Sequence, residues 1–102
     1  MSTFNTKRTA LCLALAMASL PAAAQVVPAG RLLASNCFQC HGTDGRGPGF
    51  DSLAGKSATE LYQDLLKFKA KTDANDIMAK HAMGYTDAQL RALADWLSKQ
   101  PR

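Results

Sequence analysis

A chain of 102 residues, 47% hydrophobic and 20% charged, is sized for one small domain. Its net charge of +4 is modest and dispersed, which excludes the clustered basic excess of a nucleic-acid binder. Without Lys7 and Arg8 the twelve basic residues fall to ten against eight acidic, a net +2.

Met1 to Leu20 reads as an export leader. Lys7 and Arg8 form a positive start, Ala10 to Leu20 an apolar run, and Ala22-Ala23-Ala24 a small-residue cleavage site. The apolar run is roughly half the 20 residues a bilayer span needs. The expectation is therefore a cleaved signal peptide over 1–24, a mature domain over 25–102 and a periplasmic location. Cys12 falls in the leader, and no later segment reads as a membrane span.

Gln25 to Ala29 is a lead-in, with Pro28 placed for an early helical position. Gly30 to Phe38 predicts a first helix, with Leu32, Leu33 and Asn36 framing one face. Gly30 lowers helix propensity, which fits either close approach of a second helix or a fraying end.

Next comes Cys37-Phe38-Gln39-Cys40-His41. C-x-x-C-H is the attachment signature of a c-type haem. Cysteines three apart lie on one helical face, within reach of two vinyl groups on one porphyrin edge. The histidine that follows carries a nitrogen to the iron as its proximal ligand. Cys37 and Cys40 are thus the expected thioether residues and His41 the expected iron ligand. A disulfide between the cysteines would close a very small loop and leave His41 without a role.

Gly42 to Lys56 reads as a loop, broken by five glycines and one proline. Its G-x-x-G-x-G spacing is no nucleotide motif, because no strand precedes it. The glycines fit backbone passing close to a flat cofactor. Phe50 and Leu53 are expected to turn inward.

Ser57-Ala58-Thr59-Glu60 is a capping box. It opens a helix to about Lys71 with Leu61, Leu65 and Phe68 on one stripe, flanked by Leu66 and Tyr62. Lys67, Lys69, Lys71 and Lys80 form the one basic cluster. It reads as a solvated surface first and as a docking rim for an acidic redox partner second. Thr72 to Tyr85 reads as a polar turn region in which Asp73, Asn75 and Asp76 turn or cap. Thr86-Asp87-Ala88-Gln89 is a second capping box. It opens a last helix to about Lys99, with Leu90, Leu93, Ala94 and Leu97 on its apolar face. No stretch reads as a strand.

A haem held by His41 needs a second axial group, and three side chains are candidates. Met78 is an apolar residue in a polar turn, and a thioether suits reduced iron. His81 is the remaining histidine of the mature chain. Met83 precedes Gly84 and is also placed to pack beneath the last helix. Met78 is preferred, with Met83 and His81 as alternatives.

Asn36 to Gly45, Ser52-Leu-Ala-Gly55, Phe68-Lys69, Ile77-Met78, Gly84 to Leu90 and Leu93 to Leu97 together resemble a class I c-type cytochrome of the small bacterial kind. The pattern is similar to single domains of diheme periplasmic cytochromes and to the cytochrome subunit of flavocytochrome c sulfide dehydrogenase. The resemblance implies an all-α class I cytochrome c fold, three main helices wrapped around one covalent haem c. It maps the distal iron ligand onto Met78, ahead of Tyr85, and crosses the first and last helices at Gly30 and Trp96. The family usually has a proline where this chain has Asp51, and that proline's carbonyl often holds the proximal histidine. Pro48, three residues earlier, is the substitute candidate.

The expected function is periplasmic one-electron transfer by a His/Met haem, with no catalytic residues of its own. The expected partners are redox proteins, including a flavoprotein dehydrogenase subunit, and not nucleic acid. Two other classes remain. A ligand sensor or peroxidase-like enzyme would need a labile sixth site. A thiol–disulfide oxidoreductase would use Cys37 and Cys40, but no βαβ pattern surrounds them.

Overall fold

The computed structural model describes residues 21–22 and 25–102. The leader expected over 1–24 lies, apart from 21–22, outside the described residues. The described chain is helical and contains no strand, as the all-α reading expects. Its elements are α1 (Ala29–Ala34), a 3-10 turn (Ser35–Cys37), α2 (Phe38–His41), a 3-10 turn (Thr43–Gly45), α3 (Ala58–Ala70), α4 (Ile77–Ala82) and α5 (Asp87–Ser98).

Pro28 stands just outside α1, and its carbonyl accepts from Arg31 N and Leu32 N at 3.0 and 3.2 Å. The helix expected over Gly30–Phe38 is not continuous. It tightens to a 3-10 turn at Ser35 and resumes as α2. α1 is so short that it buries Ala34 alone. Leu32, expected on the apolar face, is 60% exposed.

Among the described residues the three fully buried large side chains, Leu90, Leu93 and Leu97, all lie on α5. They fall on the stripe that the 3.6-residue period predicts. Burying each stabilises the fold by roughly 1.5–3 kcal/mol. Ala34 from α1, Leu61 from α3 and Ala94 complete the buried cluster. Tyr62, Leu65, Leu66 and Trp96 pack around it.

Gly30 lies against Trp96, as the resemblance implies. A Cβ on Gly30 would stand 2.6 Å from Trp96 Cβ and 2.8 Å from the Ala92 carbonyl. Contacts that short do not occur between real side chains, so α1 can cross α5 this closely only through a glycine.

The Thr86 capping box is complete: Thr86 Oγ1 accepts from Gln89 N at 3.1 Å, and Gln89 Oε1 accepts from Thr86 N at 2.9 Å. At α3 only the serine half forms, Ser57 Oγ accepting from Glu60 N at 3.4 Å. Met78, expected in a turn, is instead the second residue of α4. Asp76 caps that helix, accepting from Ala79 N at 3.0 Å.

Candidate functional site

Cys37 ends the first 3-10 turn, and Cys40 and His41 lie in α2. The next segment doubles back onto them through its backbone. Gly47 N donates to the His41 carbonyl at 2.7 Å, and Phe50 N to the Cys40 carbonyl at 2.8 Å. Gly49 (φ 138°) allows the return, since a Cβ there would meet the Cys40 carbonyl at 2.3 Å. These loop glycines therefore serve the packing of the chain on itself.

The return delivers Asp51 to the imidazole. His41 Nδ1 lies 2.5 Å from the Asp51 backbone carbonyl. A carbonyl can only accept, so Nδ1 carries a proton, which in the neutral imidazole leaves the lone pair on Nε2. That is the tautomer a metal-ligating histidine needs, with its orientation fixed by an outer hydrogen bond. The acceptor is Asp51 itself and not Pro48. Because the accepting atom belongs to the backbone, the proline usual at this position is not required. The Asp51 side chain turns instead to Lys56, whose ammonium hydrogen-bonds it and holds its carboxyl below the usual aspartate range.

Two adjoining cavities, of about 550 and 460 Å³, share Cys37, His41, Asp51, Leu65, Met78 and Leu93 in their walls. Each is of the size that holds a cofactor or a drug-sized ligand. Cys40, Phe50, Ile77, His81 and Tyr85 line the first, and Lys56, Phe68 and Lys71 the second. Met78 lines both cavities and is half-buried; His81 lines only the first and is exposed. Met83 caps the C-terminus of α4, is 62% exposed and lines neither. Phe50 does not join the core as expected. It is 73% exposed at the cavity wall, its ring 6.4 Å from that of His41, while Leu53 does turn inward against the core.

Cys37 and Cys40 form no disulfide with each other. Burial pushes the Cys37 thiol above its ordinary range. A redox-active thiol needs the opposite shift, and the helical surroundings are not those of a thioredoxin-like motif.

Sequence reasoning missed two features beside the site. Tyr85 Oη donates to the Leu33 carbonyl at 2.8 Å and accepts from Asn36 Nδ2 at 3.0 Å, tying the end of α4 to the segment before Cys37. The basic cluster is largely neutralised in place. Lys69 pairs with Asp87 at 2.7 Å, Lys71 with Asp76 at 2.8 Å, and Lys67 with Asp64 at 3.9 Å.

An apolar cavity with two thiols, an imidazole of fixed tautomer and a thioether in its walls fits a flat, iron-bearing macrocycle. Fold and site together define a c-type cytochrome domain carrying covalent haem c. The family described as cytochrome C oxidase, cbb3-type, subunit III matches residues 24–97, and the chain belongs to that family. It is similar to the cytochrome subunit of sulfide dehydrogenase of Chlorobaculum tepidum, at 34% identity over 66% of this chain and 62% of that one. It is also similar to cytochrome c-552 of Acidithiobacillus ferridurans, at 40% identity over 61% of this chain and 27% of that one. The thiosulfate dehydrogenase electron acceptor of Thiomonas intermedia is 36% identical over 64% of this chain and 32% of its own. The matched stretch thus spans less than two thirds of each of these relatives.

Proposed function

We propose that the protein is an exported, periplasmic one-electron carrier in which Cys37 and Cys40 form the haem thioethers and His41 and Met78 are the axial ligands. Bound haem supplies a single reversible electron step. The chain's own residues do the rest. Asp51 fixes the His41 tautomer through its carbonyl. Leu65 and Leu93 give the cavity an apolar wall. Met78 denies the distal side to outside ligands.

One observation carries this reading: the Nε2 of His41 is freed by the Asp51 carbonyl in a cavity whose wall also holds Met78. His41 and Met78 would together hold the iron, which would leave no place for a substrate to be bound or activated. That separates a carrier from a ligand sensor or a peroxidase-like enzyme. A carrier leaves the ferrous protein slow to bind carbon monoxide and gives a reversible one-electron titration. A high-spin ferric spectrum with rapid carbon monoxide binding would instead place the protein among the sensors.

The electron donor we propose is a dehydrogenase of a reduced inorganic sulfur compound, with a flavoprotein subunit as the specific candidate. Two relatives bear names of that kind, one a sulfide dehydrogenase subunit and one an acceptor for thiosulfate dehydrogenase. Native periplasmic extract resolved by size, followed at the haem and flavin absorbances, tests the association. Co-elution with flavin, and haem reduction when sulfide is added, is the expected result. A lone haem protein that neither sulfide nor thiosulfate reduces in the extract overturns this assignment of partner.

A further inference from the structure

The helix that presents Met78 is too short to hold itself in place. α4 has six residues, against the ~12–15 at which an isolated helix becomes even marginally stable. It buries only Ala79 and Ala82, and its first residue, Ile77, is 67% exposed. Little apolar burial therefore fixes the N-terminal turn, where Met78 sits.

One carboxylate does more. Asp76 Oδ1 accepts from Ala79 N at 3.0 Å, which closes the first turn of α4. Its other oxygen, Oδ2, accepts from Lys71 Nζ at 2.8 Å. Lys71 is the residue that ends α3. The two oxygens of a single side chain thus join the end of one helix to the start of the next. The Asp76 side chain is only 21% exposed and shares the wall of the first cavity with Met78. The opposite end of α4 has its own anchor in the bond from Tyr85 to the Leu33 carbonyl, independent of Asp76.

We propose that Asp76 is the positioning residue for the distal ligand: its bonds to Ala79 N and Lys71 set where α4 begins, and so where Met78 delivers its sulfur. The inference rests on Met78 being the distal ligand. Lys71, read from the sequence as part of a docking surface, acts here inward, on the carboxylate. The bond to Ala79 is the larger contribution because it closes the helix turn itself, while the half-exposed lysine bond is weaker in water.

The test uses the haem-loaded full chain and two readouts, the iron–sulfur charge-transfer band of the ferric form and the concentration of free imidazole that displaces the sulfur. Asp76→Ala removes both bonds. It should lower the displacing concentration by about fivefold, the ratio expected for loss of an N-cap. Asp76→Asn keeps an oxygen for Ala79 N and loses the ion pair, as Lys71→Gln does, and both should shift it by about twofold. Asp73→Asn, in the same loop, should match wild type, since the Asp73 side chain bonds Asn75 N and not α4.

Wild-type imidazole sensitivity in Asp76→Ala, or an equal shift in Asp73→Asn, overturns the proposal. If Asp76→Ala does not fold, Asp76→Asn and Lys71→Gln decide the matter, and wild-type values in both overturn it. Met78→Ala separates the two levels of the argument. If the band survives that change, the ligand assignment itself fails, whatever the Asp76 variants do.

Discussion

Between Cys37 and Asp51 the bonds that fold the chain back onto the site end on backbone carbonyls, whereas the bonds that tie the segment from Asn75 to Tyr85 to its neighbours run through side chains. On the first side the bonds run from Gly47 N to the His41 carbonyl, from Phe50 N to the Cys40 carbonyl, and from His41 to the Asp51 carbonyl. On the second they run through Asp76, Lys71 and the Tyr85 hydroxyl. The difference follows from spacing. Three functional residues within five positions come into register once a single turn forms. A lone methionine almost forty residues later must be brought to them by tertiary contacts. The His41 side therefore tolerates side-chain changes such as those at Asp51 but not at Gly49, where a Cβ would meet the Cys40 carbonyl, and the Met78 side depends on a few polar groups.

Four variants sharpen that contrast. The largest effect belongs to the run itself. Cys37→Ala with Cys40→Ala should leave no haem attached after acid–acetone extraction, and the pyridine haemochrome of the protein fraction should disappear. Retention of full haem absorbance would show that attachment does not depend on this pair.

Next is the frame both sides share. Gly30→Val places methyl groups where Trp96 Cβ and the Ala92 carbonyl already stand. It should destabilise the protein by about 1–3 kcal/mol, the usual cost of overpacking, read from the denaturant midpoint. An unchanged midpoint would mean that α1 does not cross α5 at this distance.

On the Met78 side, Tyr85→Phe removes the hydroxyl that serves Leu33 and Asn36 together. A loss of about 1 kcal/mol is expected. Easier displacement of Met78 by imidazole should accompany it, by less than in Asp76→Ala, because Tyr85 anchors the far end of α4. The order Asp76→Ala above Tyr85→Phe is the informative result, and the reverse order would place control of Met78 at the wrong end of its helix.

The smallest effect is expected at Asp51. Removing an outer partner of a metal-binding histidine ordinarily costs tenfold to a hundredfold in affinity or activity. Asp51→Ala should escape this, because the accepting carbonyl remains and only the Lys56 pair is lost. A ferric spectrum and reduction potential close to wild type are expected. A large shift in potential would mean that the carboxylate, and not the carbonyl, governs His41.

The same contrast sets how much could be read before the structure. Cys37-x-x-Cys40-His41 and the Thr86–Gln89 box are local, since the partners lie within about one turn; the box forms in full, and the two cysteines and the histidine line one cavity. The stripe of Leu90, Leu93, Ala94 and Leu97 is local in the same sense, and all four are buried. α4 was not legible as a helix, because six residues hold too little of a period to register. Its one signal was Asp76 three places before Ala79, which reads equally as a turn. The Asp51 carbonyl left no mark in residue type, since a backbone acceptor is the same on every residue; the resemblance pointed to position 51, and the absence of its proline pointed away to Pro48. The Tyr85 bonds to Asn36 and Leu33 span 49 and 52 positions, which no local pattern encodes. Leu32 and Phe50 misled by their type. An apolar residue on a helix that buries only Ala34, or at the wall of a cofactor cavity, need not enter the core.

The most direct measurement is the red-region absorption of the ferric protein, in wild type and in Met78→Ala. A chain in which His41 and Met78 close both axial positions gives an iron–sulfur charge-transfer band in wild type that is lost in the variant. A wild-type protein without that band, or a variant that keeps it, contradicts the account.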